Sequence, residues 1–198
     1  MDGGKTKSLS DYSIGKSRFG ANNRNRQAVA NIVGYYAKQI GVEGVGATHE
    51  SGGMAHYNSN NDVIWIAPTG ENGIVSSSLN DKNNLMNILV HEQQHRVDNV
   101  NGVQSSFESH ANVYISQMGD ESFSKTTDGF QSGTINNMME YVLGVKDRST
   151  QRKLINSFNN TNKGGYRMDE SHTSGSGWGL SKGGVKKYIN PEKAKSAN

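Results

Sequence analysis

The run Leu85-Met86-Asn87-Ile88-Leu89-Val90 passes directly into His91-Glu92-Gln93-Gln94-His95-Arg96, and no other stretch constrains the fold as much. An apolar run needs a buried face, whereas two imidazoles and a carboxylate need water, an ion or a polar partner. A helix satisfies both demands, because residues three and four apart share a face while adjacent residues do not. Asn80 or Asp81 can cap such a helix. It is expected to run to about Val97, with Asp98-Asn99-Val100-Asn101-Gly102 as the following loop. On it His91 and His95 lie about 6 Å apart on one face, and Glu92 stands about 100° further round.

That spacing carries chemistry. Two neutral imidazoles on one face can address one zinc ion at about 2.0–2.1 Å. Glu92 is angled to reach a water on that ion, the geometry of the HExxH zinc-hydrolase helix with the glutamate as general base. The chain contains no cysteine. Disulfides and thiolate sites are thereby excluded, and a metal must rest on His, Asp or Glu. A catalytic zinc keeps three protein ligands and an open position. The segment Phe107-Glu108-Ser109-His110-Ala111-Asn112-Val113-Tyr114 offers two candidates for the third. A helix over Gln104–Met118 has the apolar stripe Phe107, Ala111, Tyr114, Ile115 and Met118, closed by Gly119. Glu108 borders that stripe, and His110 lies about 200° round from Glu108. Glu108 is the preferred ligand, with His110 the alternative. Asp98 or Asn112 can accept an imidazole N–H and so orient a ligand. His49 and His56 read as surface or hairpin residues.

The rest of the chain predicts an α+β domain. Ala28, Val29, Ile32, Val33, Tyr36, Ala37 and Ile40 recur at helical spacing over 21–40, with Gly41 as the stop. Met54–Tyr57 and Asp62–Ala67 flank an Asn-rich turn and read as a hairpin ended by Pro68. Two further helices are expected at 134–143 and 149–159. Residues 1–20 read as a polar lead-in, 21–160 as the catalytic domain, and 161–198 as a Gly- and Lys-rich C-terminal segment of loops, able to pack on the cleft. Charge is uneven: residues 1–40 carry seven Lys and Arg against two acids, 41–145 three against twelve, and 146–198 eleven against four. An acidic middle with basic, solvated ends is the plain explanation, and contact with an acidic partner is the sharper one. Aromatics do not interleave with the basic residues, Tyr188 after Lys186-Lys187 apart, so nucleic acid is not an expected partner. Mean hydropathy is −0.74. No run approaches the roughly 18 apolar residues of a membrane span, and the first residues lack the apolar core of a classical signal peptide.

The pair H-E-Q-Q-H and E-S-H-A resembles the HExxH…ExxA pattern of gluzincin-type zincin metallopeptidases over residues 54–118. The longer metzincin pattern is absent, since Asp98 and Asn101 stand where it needs other residues. The resemblance implies a compact zincin-like fold: an N-terminal helix, a small antiparallel sheet, the HExxH helix, a ligand helix and further C-terminal helices. It implies zinc held by His91, His95 and Glu108, and Glu92 as catalytic base. It also implies an edge strand, here Val63–Ile66, that binds the substrate backbone by strand addition, and a donor for the oxyanion. Tyr166, Arg167 and His172 are candidates for that donor, with His172 preferred because gluzincins often use a downstream histidine. The Gly-, Asn- and Ser-rich style resembles the C-terminal toxin domains of bacterial polymorphic (Rhs-type) effectors. That resemblance implies delivery into a target cell by a bacterial secretion system, a protein or peptide substrate, and a cognate immunity protein as inhibitor. A housekeeping, phage or cell-wall peptidase is the alternative enzyme, and a zincin-fold binding module without activity the alternative outside catalysis.

Overall fold

Val29, Val33 and Ala37 are fully buried along one side of helix α1 (Ala21–Gln39), the side that the helical spacing predicts. Gly41, at φ +70°, lets the chain leave the helix: its N–H donates to Lys38 O and that of Val42 to Ala37 O, the two bonds of a glycine-terminated helix. A computed structural model describes residues 7–15, 21–50, 53–69, 73–171 and 177–189. The chain divides into two units, residues 1–99 and 100–198, and each has its own apolar core.

In the first unit, strands β1 (Val45–Ala47), β2 (Ala55–Asn58) and β3 (Val63–Ile66) form a sheet in the order β1-β3-β2. β1 runs parallel to β3 and β2 antiparallel to it. The rows Val45–Ile64–Tyr57 and Ala47–Ile66–Ala55 point into the core, where they meet α1 together with Leu79, Leu85 and Leu89. The opposite face carries the row Gly46–Trp65–His56. A Cβ on Gly46 would stand 2.5 Å from the Trp65 ring, so the indole lies in space that only glycine leaves. The expected hairpin is present as β2–β3. The residue with positive φ in its turn is Asp62, at +53°, while Asn58 Oδ1 accepts from Asn60 N. Val63–Ile66 is not an edge strand, contrary to expectation. β3 is paired on both sides, because Val-Gly-Ala, too short and too glycine-interrupted to show a period, supplies β1. β2 is left as an edge. Strands β4 (Pro68–Thr69) and β5 (Ile74–Val75) pair separately. The polar lead-in contributes Leu9 and Ile14 to this core.

Helix α2 (Lys82–Val100) begins at Asp81, whose Oδ1 accepts from Asn83 N and Asn84 N at 2.8 and 3.0 Å. It continues three residues past Val97 and stops before Gly102, at φ +66°. Leu85 and Leu89 face the core, which fixes the rotation of the helix and therefore the directions of residues 91–96.

In the second unit, α3 (Phe107–Gly119), α4 (Asp128–Gly144) and α5 (Arg148–Thr161) pack around Phe123, Met138, Met139 and Phe158. Each starts at a side-chain cap: Ser106, Thr127 and Asp147 accept from Ser109 N, Phe130 N and Thr150 N. α4 begins well before the expected residue 134, since Thr127 is the cap. Residues beyond 161 were expected to be loops, but β6 (Tyr166–Ser171), β7 (Gly177–Lys182) and β8 (Val185–Ile189) form an antiparallel sheet. Met168, Trp178 and Leu180 alternate into the core between glycines and lysines, a signal too thin to read as strand. Gly183 and Gly184, at φ +56° and +85°, make the two-residue turn that needs positive φ at both positions. Among the described residues no helix is long and apolar enough to cross a membrane.

Candidate active site

With α2 anchored by Leu85 and Leu89, the next turn presents His91, which is buried, and His95, which is half-buried. Their Nε2 atoms stand 3.2 Å apart, with the rings at 76° to each other. Two nitrogens bound at about 2.05 Å to a tetrahedral zinc are about 3.3 Å apart. The separation of the two nitrogens therefore matches an edge of that tetrahedron, and this donor pair fits the ion. Burial lowers the proton affinity of His95, and the nearby negative charge of Asp98 partly opposes the effect. The neutral imidazole that a metal requires is thus the favoured form. Asp98 itself accepts from Gln94 Nε2 at 2.8 Å.

Glu92 is only 5% exposed. Burial pushes its carboxyl from an ordinary 4.5 up to about 7, against the opposing pull of a hydrogen bond from Tyr57 N. That amide, on the edge strand β2, donates to Glu92 Oε2 at 2.8 Å. A carboxyl titrating near neutrality can both accept and return a proton.

The two candidates for a third ligand lie on α3, in the second unit. Glu108 is exposed, in the first turn of that helix, and His110 is half-buried. α3 has two buried stripes. Ala111, Ile115 and Met118 enter the core of the second unit, and Val113 and Gln117, three and seven residues beyond His110, are buried as well. A single apolar stripe read from sequence makes His110 look solvent-facing, whereas the second stripe contains Gln117 and is invisible to hydrophobicity. The His110 ring stacks on Tyr141 of α4, with centroids 4.1 Å apart and planes 3° apart, and Tyr114 lies beside both.

Of the oxyanion candidates, Tyr166 takes the Lys182 ammonium over its ring at 4.5 Å, and Arg167 pairs with Asp169 at 3.2 Å on the surface. His172 lies outside the described residues. Asn112 is exposed, His49 follows β1, and His56 sits on β2 opposite Trp65. Three further residues were not foreseen: Tyr57, which acts through its backbone, and Arg96 and Tyr141, which touch groups already named. Only the position of Arg96, four residues after Glu92, gives a hint of its place in the sequence.

A family model described as metallopeptidase toxin 2 matches residues 1–167. No curated protein and no solved structure matches the chain.

Proposed function

The chain belongs to the metallopeptidase toxin 2 family, and on that premise we propose that it is a zinc peptidase acting as a toxin on a protein substrate inside a target cell. The observation that carries the reading is the buried Glu92 beside two imidazoles whose nitrogens are 3.2 Å apart. His91 and His95 would hold the metal. His110 is proposed as third ligand in place of Glu108, because it is half-buried on the side of α3 that carries the buried Val113 and Gln117, whereas Glu108 is exposed. A zinc ion bound there supplies a Lewis acid that acidifies water and polarises the scissile carbonyl.

The residues of the chain do the rest. Glu92 accepts a proton from the attacking water as the carbon–oxygen bond forms. It returns that proton to the amine nitrogen as the carbon–nitrogen bond breaks. The low polarity that raises its proton affinity also strengthens its interaction with the developing charge. The oxyanion donor is assigned to His172. A domain of this kind is delivered by a secretion system and is held in check in the producer by an immunity protein that covers the site.

The test compares wild type with Glu92→Gln for zinc content and for cleavage of a denatured-proteome peptide library. Wild type should carry about one zinc per chain and cut the library. The variant should keep the zinc and lose activity by at least 10²-fold, the lower range of a general base's contribution. Equal cleavage by the two proteins, or a wild type that takes up no zinc, would overturn the reading.

A further inference from the structure

We propose that Arg96 is the positioning residue of the general base: it clamps the hairpin turn and the ring of Tyr57 so that the edge-strand amide of Tyr57 meets Glu92. The proposal deepens the hydrolytic reading and rests on it for its catalytic consequence.

The argument begins with the register of α2. Glu92, Arg96 and Asn99 are spaced four and seven residues along and share one face, next to the face of His91 and His95. All three grip a single residue of β2. Glu92 Oε2 accepts from Tyr57 N at 2.8 Å. The Arg96 guanidinium lies over the Tyr57 ring, 5.6 Å from its centroid. Asn99 Nδ2 donates to Tyr57 Oη at 3.4 Å, and that hydroxyl donates to Asp62 Oδ1 at 3.2 Å.

Arg96 ties this contact to the rest of the unit. Its Nε donates to Asp62 Oδ1 at 2.8 Å and its Nη2 to Asp62 O at 2.8 Å. Its Nη1 donates to Glu43 O and to Gln93 Oε1, both at 2.9 Å. One planar fork thus joins the start of β1, the β2–β3 turn and α2, with its side chain only 13% exposed. An exposed ion pair contributes little to stability. A guanidinium sharing carbonyl, amide and carboxylate acceptors fixes geometry, and a lysine cannot reproduce that fork. Asp62 holds the left-handed backbone of the turn at φ +53°, so the clamp closes on the one residue whose conformation sets the hairpin. β2 lies at the end of its sheet, and among the described residues no strand pairs with its outer side. Without Arg96, Tyr57 is held to α2 by the Glu92 and Asn99 hydrogen bonds, and the amide that meets the carboxylate is less firmly fixed.

The test uses the full chain with Arg96→Met and Arg96→Lys. It has two readouts: amide hydrogen exchange at Tyr57, and kcat and KM on a peptide that wild type cleaves, with zinc content measured in parallel. Arg96→Met should speed Tyr57 exchange at least tenfold, as Glu92→Ala should, while Leu85 to Leu89 in α2 change less than twofold. It should lower kcat at least tenfold with KM within threefold and about one zinc retained. Arg96→Lys, the milder variant if Arg96→Met folds poorly, should fall between. Unchanged exchange at Tyr57 in both variants overturns the proposal, as does unchanged kcat, or zinc loss in step with activity. If wild type shows no Glu92-dependent hydrolysis, the hydrolytic reading fails by itself, and Tyr57 exchange still decides whether Arg96 sets this contact.

Discussion

Removing the charge of Glu92 should stabilise the metal-free protein at alkaline pH. Its carboxyl is buried and titrates near 7 instead of the ordinary 4.5. The folded chain therefore binds more protons than the unfolded chain between those values, and stability falls as pH rises through that window. At about 1.4 kcal/mol per pKa unit, the penalty above pH 7 is about 3 kcal/mol. Below pH 4.5 it vanishes, because both states are protonated. Glu92→Gln keeps the shape and an oxygen for Tyr57 N but cannot ionise. After chelation, urea unfolding of wild type and variant at pH 4.5, 6 and 8 gives the difference directly, and the histidine titrations common to both proteins cancel. The variant should gain about 3 kcal/mol on wild type from pH 4.5 to 8, a midpoint shift of about 1.5 M urea for a slope near 2 kcal/mol/M. A difference that stays flat within about 1 kcal/mol, or one of opposite sign, refutes the argument that burial governs this carboxyl.

Other outcomes follow from the same geometry. His110→Ala should weaken zinc binding beyond the about 10- to 100-fold that a supporting residue costs, and Glu108→Ala should leave it within a few-fold; competition with a chromophoric chelator separates the two. Tyr141→Ala should weaken zinc about 10-fold or more by freeing the His110 ring that stacks on it at 4.1 Å, while Tyr141→Phe, which keeps the ring, should match wild type in the same titration. Leu89→Ala removes a fully buried side chain two residues before His91 and should cost about 2–5 kcal/mol in thermal or urea unfolding. Expression of wild type should arrest cells, and Glu92→Ala should relieve the arrest at equal protein level.

How much of this is legible in the sequence depends on how local the signal is. The three helices α1, α2 and α3, and the hairpin β2–β3, announce themselves through spacing, caps and turn residues within a dozen positions. β1 does not, because three residues with a central glycine have no period and become a strand only when Ile64–Ile66 lies alongside. β6 to β8 are hidden for a related reason. Met168, Trp178 and Leu180 provide the buried alternation, but glycines and lysines dilute it, so no strand shows a clean period before its neighbours lie alongside. Placing the edge strand at Val63–Ile66 follows naturally when β1 is invisible, since a two-stranded hairpin leaves both members exposed.

The candidate site divides along the same line. His91, Glu92 and His95 lie within five residues of one helix, so their mutual geometry follows from helical spacing. A third ligand depends on the rotation of a second helix, and a hydrophobic stripe gives that rotation only if all buried residues are apolar. In α3 they are not: Gln117 is fully buried, and with Val113 it extends the side of His110, whereas Glu108 stands exposed before the core begins. Arg96 shows the opposite limit. Its position, one turn after Glu92, is plain in the sequence, yet its partners at Glu43, Tyr57 and Asp62 lie 53, 39 and 34 residues away. The acid one turn before it, Glu92, accepts from Tyr57 N instead, and the guanidinium bonds to Glu43 O, to Gln93 Oε1 and to the turn at Asp62. An arginine at helical spacing from an acid is thus not tied to that acid, and the residues at the other end of its bonds are where its function is to be sought.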